Sequence, residues 1–137
     1  MIDFTITGNP QAQKRHRPSA RGGYYDPSSK EKKEICLQIA RYKPKKPYAG
    51  EISLKLVFYM PRPKHHYRTG KFKHLLKEKC KDIVYHSVKP DLSNLIKLYE
   101  DVLENANFYV NDSQICALYA EKMYGEPKTE VTIHEIL

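Results

Sequence analysis

KPDLSNLIKLYEDVLENANFYVNDSQI, residues 89–115, is the run that organises the reading of this chain. Asp91, following Pro90, is a good helix N-cap, since its carboxylate can accept from the free amides of a first turn. Leu92, Leu95, Tyr99, Val102, Leu103 and Ala106 then recur at the spacing of one buried helical stripe. Asp91, Asn94, Lys97 and Asp101 step along the same helix every three or four residues, so they form a second, polar stripe. Asn105–Asn107 makes the exit, and Phe108-Tyr109-Val110 leads to Asn111-Asp112. The spacing predicts a helix over 91–107 with one carboxylate at its start and another just past its end.

The rest of the chain contrasts with this acidic corner. Its 137 residues have a formal net charge of +8, unevenly spread. Residues 1–90 carry 21 Lys and Arg against 7 Asp and Glu, a net +14; residues 91–137 carry 3 against 9, a net −6. A basic half of this size marks contact with a polyanion, nucleic acid above all. The length suits one domain, 1–137, with a single core. Apolar runs are too short for a membrane span, and MIDFTITGNP lacks the pattern of a signal peptide, so the expected location is cytoplasmic. Cys36, Cys80 and Cys116 lack the paired spacing of zinc ligands and read as reduced thiols.

Ile2, Phe4 and Ile6 alternate with polar residues as in a half-buried strand. The polar loop QAQKRHRPSARGG follows, with Lys14, Arg15, Arg17 and Arg21. It has no apolar face to fold on, which makes phosphate the natural partner of its cations. Tyr24-Tyr25 reads as a short strand. A helix is expected from Ser28 or Ser29, either of which can cap it, to Tyr42, with Ile35, Ile39 and Tyr42 on its buried side. Leu37 lies off that stripe and suggests cover on a further side. Ile52, Leu54, Leu56 and Phe58 mark a strand, with Val57 and Tyr59 on its second face. Residues 61–89 form a basic excursion in which Phe72, Leu75, Leu76 and Cys80 suggest a short amphipathic helix. His65 and His66 are adjacent there and read as surface residues. Two closing strands, Ile115–Met123 and Thr129–Ile136, read as a hairpin around Gly125-Glu126-Pro127. The expected class is α+β (α/β): one compact domain with a mixed β-sheet and packed helices.

Two carboxylates brought together by a helix and its following loop could hold a hard cation. Mg²⁺ commonly binds through one or two carboxylates plus substrate phosphate, and in phosphodiester hydrolysis it activates water and neutralises the leaving oxygen. Lys97 would stabilise the extra negative charge of the transition state. Local roles are open for the same residues: Asp91 as a plain cap, Lys97 and Asp101 as an i,i+4 ion pair, Asp112 as a turn residue.

KPDLSNLIK…NDSQI, with His86 shortly before it, resembles the RusA family of Holliday-junction resolvases, in particular its phage and prophage branch. There the pattern runs approximately KPDxDNLxK, a helix, then DDxQI. TITGNPQAQKRHRP, FYMPRPK and AEKMY…TEVTIHEI extend the likeness over nearly the whole chain. The resemblance implies Asp91 and Asp112 as metal-binding aspartates, Lys97 as the catalytic lysine and Asn94 as the motif asparagine. His86, Lys89 and the loop cations Lys14, Arg15, Arg17 and Arg21 join Asn94 in the expected substrate-binding set. It further implies a homodimer making paired, Mg²⁺-dependent cuts in four-way DNA junctions during recombination, repair or phage DNA processing. This chain departs from the pattern at Ser93, which stands where the family has its second aspartate, and at Asn111, in place of the first residue of the DD pair. The Ser93 hydroxyl can ligate Mg²⁺ or hold one of its waters but brings no charge. The missing ligand role then falls to Ser93, Asp101 or Glu121.

Overall fold

Strand β4, Ile52–Met60, is apolar on one face throughout and partly on the other, with Ile52, Leu54, Leu56, Phe58 and Met60 buried on one side and Val57 buried on the second. A strand covered on both faces belongs at the centre of a sheet. The computed structural model, which describes residues 1–136, places it there. The sheet order is β1-β6-β4-β5, with β1 spanning Ile2–Thr7, β5 Ile115–Tyr124 and β6 Lys128–Glu135. β6 is antiparallel to both β1 and β4, whereas β5 is parallel to β4. The mixed α+β class is as expected.

The expected closing hairpin does not form. β5 and β6 are consecutive but do not pair, because β4 lies between them. The Gly125 amide donates to the Met60 carbonyl as the turn wraps over the end of β4. A Cβ at Gly125 would stand 2.9 Å from the Tyr59 ring, so the close crossing needs glycine.

Two helices cover one face of the sheet. α1, Ser29–Ile39, buries Ile35 and Ile39 and continues as a 3₁₀ turn to Tyr42, whose ring stacks on Phe4 at 4.9 Å. Leu37 is 81% exposed, so this helix is covered on one side only. α2, Leu92–Asn105, buries Leu95, Leu98, Tyr99, Val102 and Leu103, while Leu92 and Ala106 pack at the margin. It forms the crossover between the parallel strands β4 and β5.

Within the excursion the expected short helix is replaced by 3₁₀ turns at Lys64–His66, Gly70–Phe72 and Glu78–Cys80. Its backbone groups bond across the loop, Arg68 amide to Leu75 carbonyl and Lys77 amide to His66 carbonyl, and are lost to any α-helical ladder. His66 is buried against Tyr124, not on the surface. The adjacent ring of His65 meets it edge-on.

Candidate active site and nucleic-acid interface

The basic loop is held down as an arm along α2. Its Gln13 amide donates to the Asn94 carbonyl at 2.9 Å, and its Gln11 amide donates to the Tyr99 hydroxyl at 3.0 Å. Ser28 occupies the N-cap position of α1 but caps nothing with its side chain; its hydroxyl instead accepts the Lys14 amide at 2.9 Å. Asp26 accepts from Gln13, from the Ser28 amide and from Lys32. Lys32, nearly buried, bridges Asp26 at 2.6 Å and Asp101 at 3.1 Å, tying arm, α1 and α2 into one unit. Burial opposes the charge on Asp26, but hydrogen bonds led by Lys32 hold its pKa at about 2. Burial likewise disfavours the Lys32 charge, and its bonds to the two aspartates raise its pKa nonetheless.

This docking makes a cleft of about 370 Å³ between arm and helix, lined by Gln13, Lys14, Arg15, His16, Asn94, Lys97 and Asp101. A second recess, lined by Lys14, Lys89, Pro90 and Asp91, shares Asn94 with the first. The expected Lys97–Asp101 pair does not form, since Asp101 is taken by Lys32. Lys97 is exposed and, among the described residues, makes no ion pair, which leaves it facing the cleft beside Arg15 and His16. Beyond the cleft, Arg17–Pro18 (β2) and Tyr24–Tyr25 (β3) pair into a small hairpin. Arg17 and Arg21 are exposed on it, as are both tyrosines. Lys14 and Arg15 are therefore brought to the polar stripe, whereas Arg17 and Arg21 lie beyond it.

Asp91 sits at the N-cap of α2, yet its carboxylate makes no capping bond and stays exposed. Ser93 is exposed in the first turn. Lys122, a residue sequence reasoning missed, holds this end: its Nζ donates to the Val88 and Pro90 carbonyls, both at 2.6 Å. Burial lowers the Lys122 pKa, with nearby Asp91 acting against that shift. No spacing signal marks Lys122, because it reaches the start of α2 from β5, 32 residues away from Pro90 in sequence. His86 is buried on Tyr124 at 5.1 Å and is not displayed towards solvent. Burial, and then Lys122, depress its pKa.

Asp112 lies at the other end of the helix. Its amide donates to Glu104 Oε1 at 2.8 Å and its charge acts on Glu100, which puts it beside the second half of α2, more than about 10 Å along the helix axis from Asp91 at 1.5 Å per residue. The turn there is a capping box: the Asn111 side chain accepts the Ser113 amide, and the Gln114 side chain accepts the Asn111 amide. Asn111 is thus engaged in the turn, and Asp112 stays exposed. Burial raises the Glu100 pKa, reinforced by Asp112 and Asp101, so this end gathers negative charge.

An ion with ligands at about 2.1 Å needs oxygens that nearly touch. Asp91 and Asp112 of one chain do not meet that condition for Mg²⁺. Among the described residues no three His, Cys, Asp or Glu side chains come together as a metal-holding group. The substitute ligands do not repair this. Asp101 is engaged by Lys32. Glu121 follows the opposite strand parity to Lys122, which reaches α2, and so lies on the far face of the sheet.

Comparison with known proteins adds the lineage. The model of the endodeoxyribonuclease RusA family matches residues 7–134. The chain belongs to the RusA family. A relative named uncharacterized protein YqaN, from Bacillus subtilis, is 34% identical over 98% of this chain and 96% of its own length. The crossover junction endodeoxyribonuclease rusA of Lactococcus phage r1t is 27% identical over 82% of this chain and 78% of its own. No helix among the described residues is long and apolar enough to cross a membrane.

Proposed function

We propose that this RusA-family chain is a Mg²⁺-dependent, structure-selective endodeoxyribonuclease that acts in the cytoplasm on four-way DNA junctions as a homodimer. The observation that carries this reading is the cleft in which a basic arm is fastened over the polar stripe of α2. Lys14, Arg15, Arg17 and Arg21 bind the phosphate backbone, a contact that releases counterions and makes binding salt-sensitive. Asn94, shared by the two recesses, orients the strand that passes between them. Lys97 faces the phosphate and offsets the charge that builds up during phosphoryl transfer. Lys89 and Asp91 border the second recess, where Lys122 holds the backbone in place. When bound, Mg²⁺ supplies an activated water at such a centre. The carboxylates of one chain do not fit the ion, so the chain's own residues act here by binding, orientation and charge.

Incubation of a synthetic four-way junction with the protein and Mg²⁺ tests the reading, with Asp91→Asn and Asp112→Asn alongside. Paired incision by the parent chain and loss in both variants is expected. No incision across a wide metal range, or full activity in both variants, overturns it. Ser93 supports a second reading, a junction-binding relative without incision. Under it the parent chain binds but does not cut; Ser93→Asp creates cutting only where the remaining site is competent.

A further inference from the structure

Most of the chain's 11 tyrosines are covered by the fold, and Tyr99 and Tyr109 almost completely. Tyr24 and Tyr25 are not: Tyr24 is 76% exposed and Tyr25 49%. They form β3 of the small hairpin, opposite Pro18 and Arg17 of β2. Residues opposite each other in a ladder share a face and successive ones alternate. Tyr25 therefore leaves on one face beside Arg17, and Tyr24 on the other beside Pro18. The hairpin is fastened at both ends. At its tip the Ser19 amide donates to the Gly23 carbonyl at 2.9 Å and the Gly22 amide to the Ser19 carbonyl at 3.1 Å, with Gly22 and Gly23 both at positive φ. At its root Asp26 is held by Gln13 and Lys32. Neither ring belongs to the core cluster. A braced hairpin thus displays an aromatic face on each side, and the core has no use for either.

The surroundings of these rings are basic. Residues 11–25 contain Lys14, Arg15, Arg17 and Arg21 and no Asp or Glu. Among the described residues Arg15, Arg17 and Arg21 make no ion pair. The first acid after them, Asp26, is taken by Lys32. β2 begins one residue after His16, which lines the cleft with Lys97. Flat aromatic faces among free guanidinium groups fit a polyanion that itself offers flat apolar faces, which is nucleic acid with bases out of the stack. In a continuous duplex each base face is covered by its neighbour, whereas a branch point or a bulge leaves some open. We propose that the Arg17–Tyr25 hairpin is a stacking wedge: Tyr24 and Tyr25 take unpaired DNA bases at a branch point, and this contact supplies a preference for branched DNA over plain duplex that the phosphate contacts of the arm do not. This role rests on the nuclease reading for branched DNA as the substrate; the stacking itself is read by binding, without metal or incision. Stacking accepts any base, so the wedge selects open structure and not sequence.

The chain contains no tryptophan, so Tyr24→Trp and Tyr25→Trp each place a single indole reporter on the hairpin. With Mg²⁺ omitted, a synthetic four-way junction and a duplex carrying bulged bases should each quench that fluorescence, and a plain duplex of equal length should not. The double variant Tyr24→Ala/Tyr25→Ala should lose about 10-fold or more in affinity for the junction and the bulged duplex and keep the parent's affinity for plain duplex. Tyr24→Phe/Tyr25→Phe should bind as the parent does, because the rings remain, and circular dichroism checks that both double variants are folded. Arg15→Ala, by contrast, should weaken junction and plain duplex alike. Equal quenching by junction and plain duplex, a parent chain that binds the two equally, or a double alanine variant with the parent's preference overturns the wedge. Incision of the junction by the parent chain then leaves the nuclease reading standing. Absence of incision defeats the nuclease reading, while quenching by the bulged duplex still decides the stacking.

Discussion

The arm over residues 11–26 and the excursion over residues 61–89 both leave the sheet as basic loops, yet they direct their cations differently. In the arm the backbone is tied down, by Gln11, Gln13 and Lys14 amides, and Lys14, Arg15, Arg17 and Arg21 are left exposed. In the excursion Arg62 turns inward. It donates to the Cys80 carbonyl at 3.2 Å and the Ile83 carbonyl at 2.8 Å and lies over the Tyr124 ring at 5.1 Å. His66 and His86 are buried on either side of the same ring. The arm fastens itself by amides and frees its charges, whereas the excursion uses part of its charge to hold a loop that has no helix. Net charge alone does not separate a binding surface from a structural one.

The largest effect is expected at the cleft beneath the arm. Lys97→Ala should lower the rate of junction incision by at least about 100-fold and leave the melting temperature unchanged, as single-turnover kinetics and calorimetry would check. Equal loss of binding and rate would instead make Lys97 a mere docking residue. Next is the anchor: Lys32→Ala leaves Asp26 and Asp101 facing each other without their shared cation and should destabilise the fold by about 3 kcal/mol, measured by urea unfolding. Arg62→Ala should lower stability by about 1 kcal/mol, chiefly through the part-buried Cys80 carbonyl left without its donor, with little change in the salt dependence of DNA binding. Arg15→Ala should do the reverse, leaving stability alone and reducing the slope of log affinity against log salt by about one.

Acid titration sharpens the same contrast. His86 is a base whose pKa is depressed in the fold, so below its ordinary value of 6.5 the unfolded chain takes up the proton first. Stability from the excursion therefore declines as pH falls through 6.5, and His86→Phe should flatten that decline. Asp26 is an acid held at about 2 against an ordinary 3.8, so the stability of the arm persists above 3.8 and is lost as pH falls from 3.8 towards 2. Urea unfolding at a series of pH values should resolve the two steps, and Asp26→Asn should remove only the lower one.

Much of this was legible in residue spacing. The helix after Pro90, the core stripe from Leu95 to Leu103, the central strand and the polar stripe of Asn94 and Lys97 are local periodicities, and each is found. The tertiary structure decided what periodicity does not carry. It put β4 between β5 and β6, because a strand apolar on both faces gains most at the centre. It turned Arg62, His66 and His86 inward, since burial depends on what packs against a residue and not on its charge. Above all it set Asp91 and Asp112 at opposite ends of α2. Their residue types and order are written in the chain, but the length of the helix between them keeps them apart within one copy.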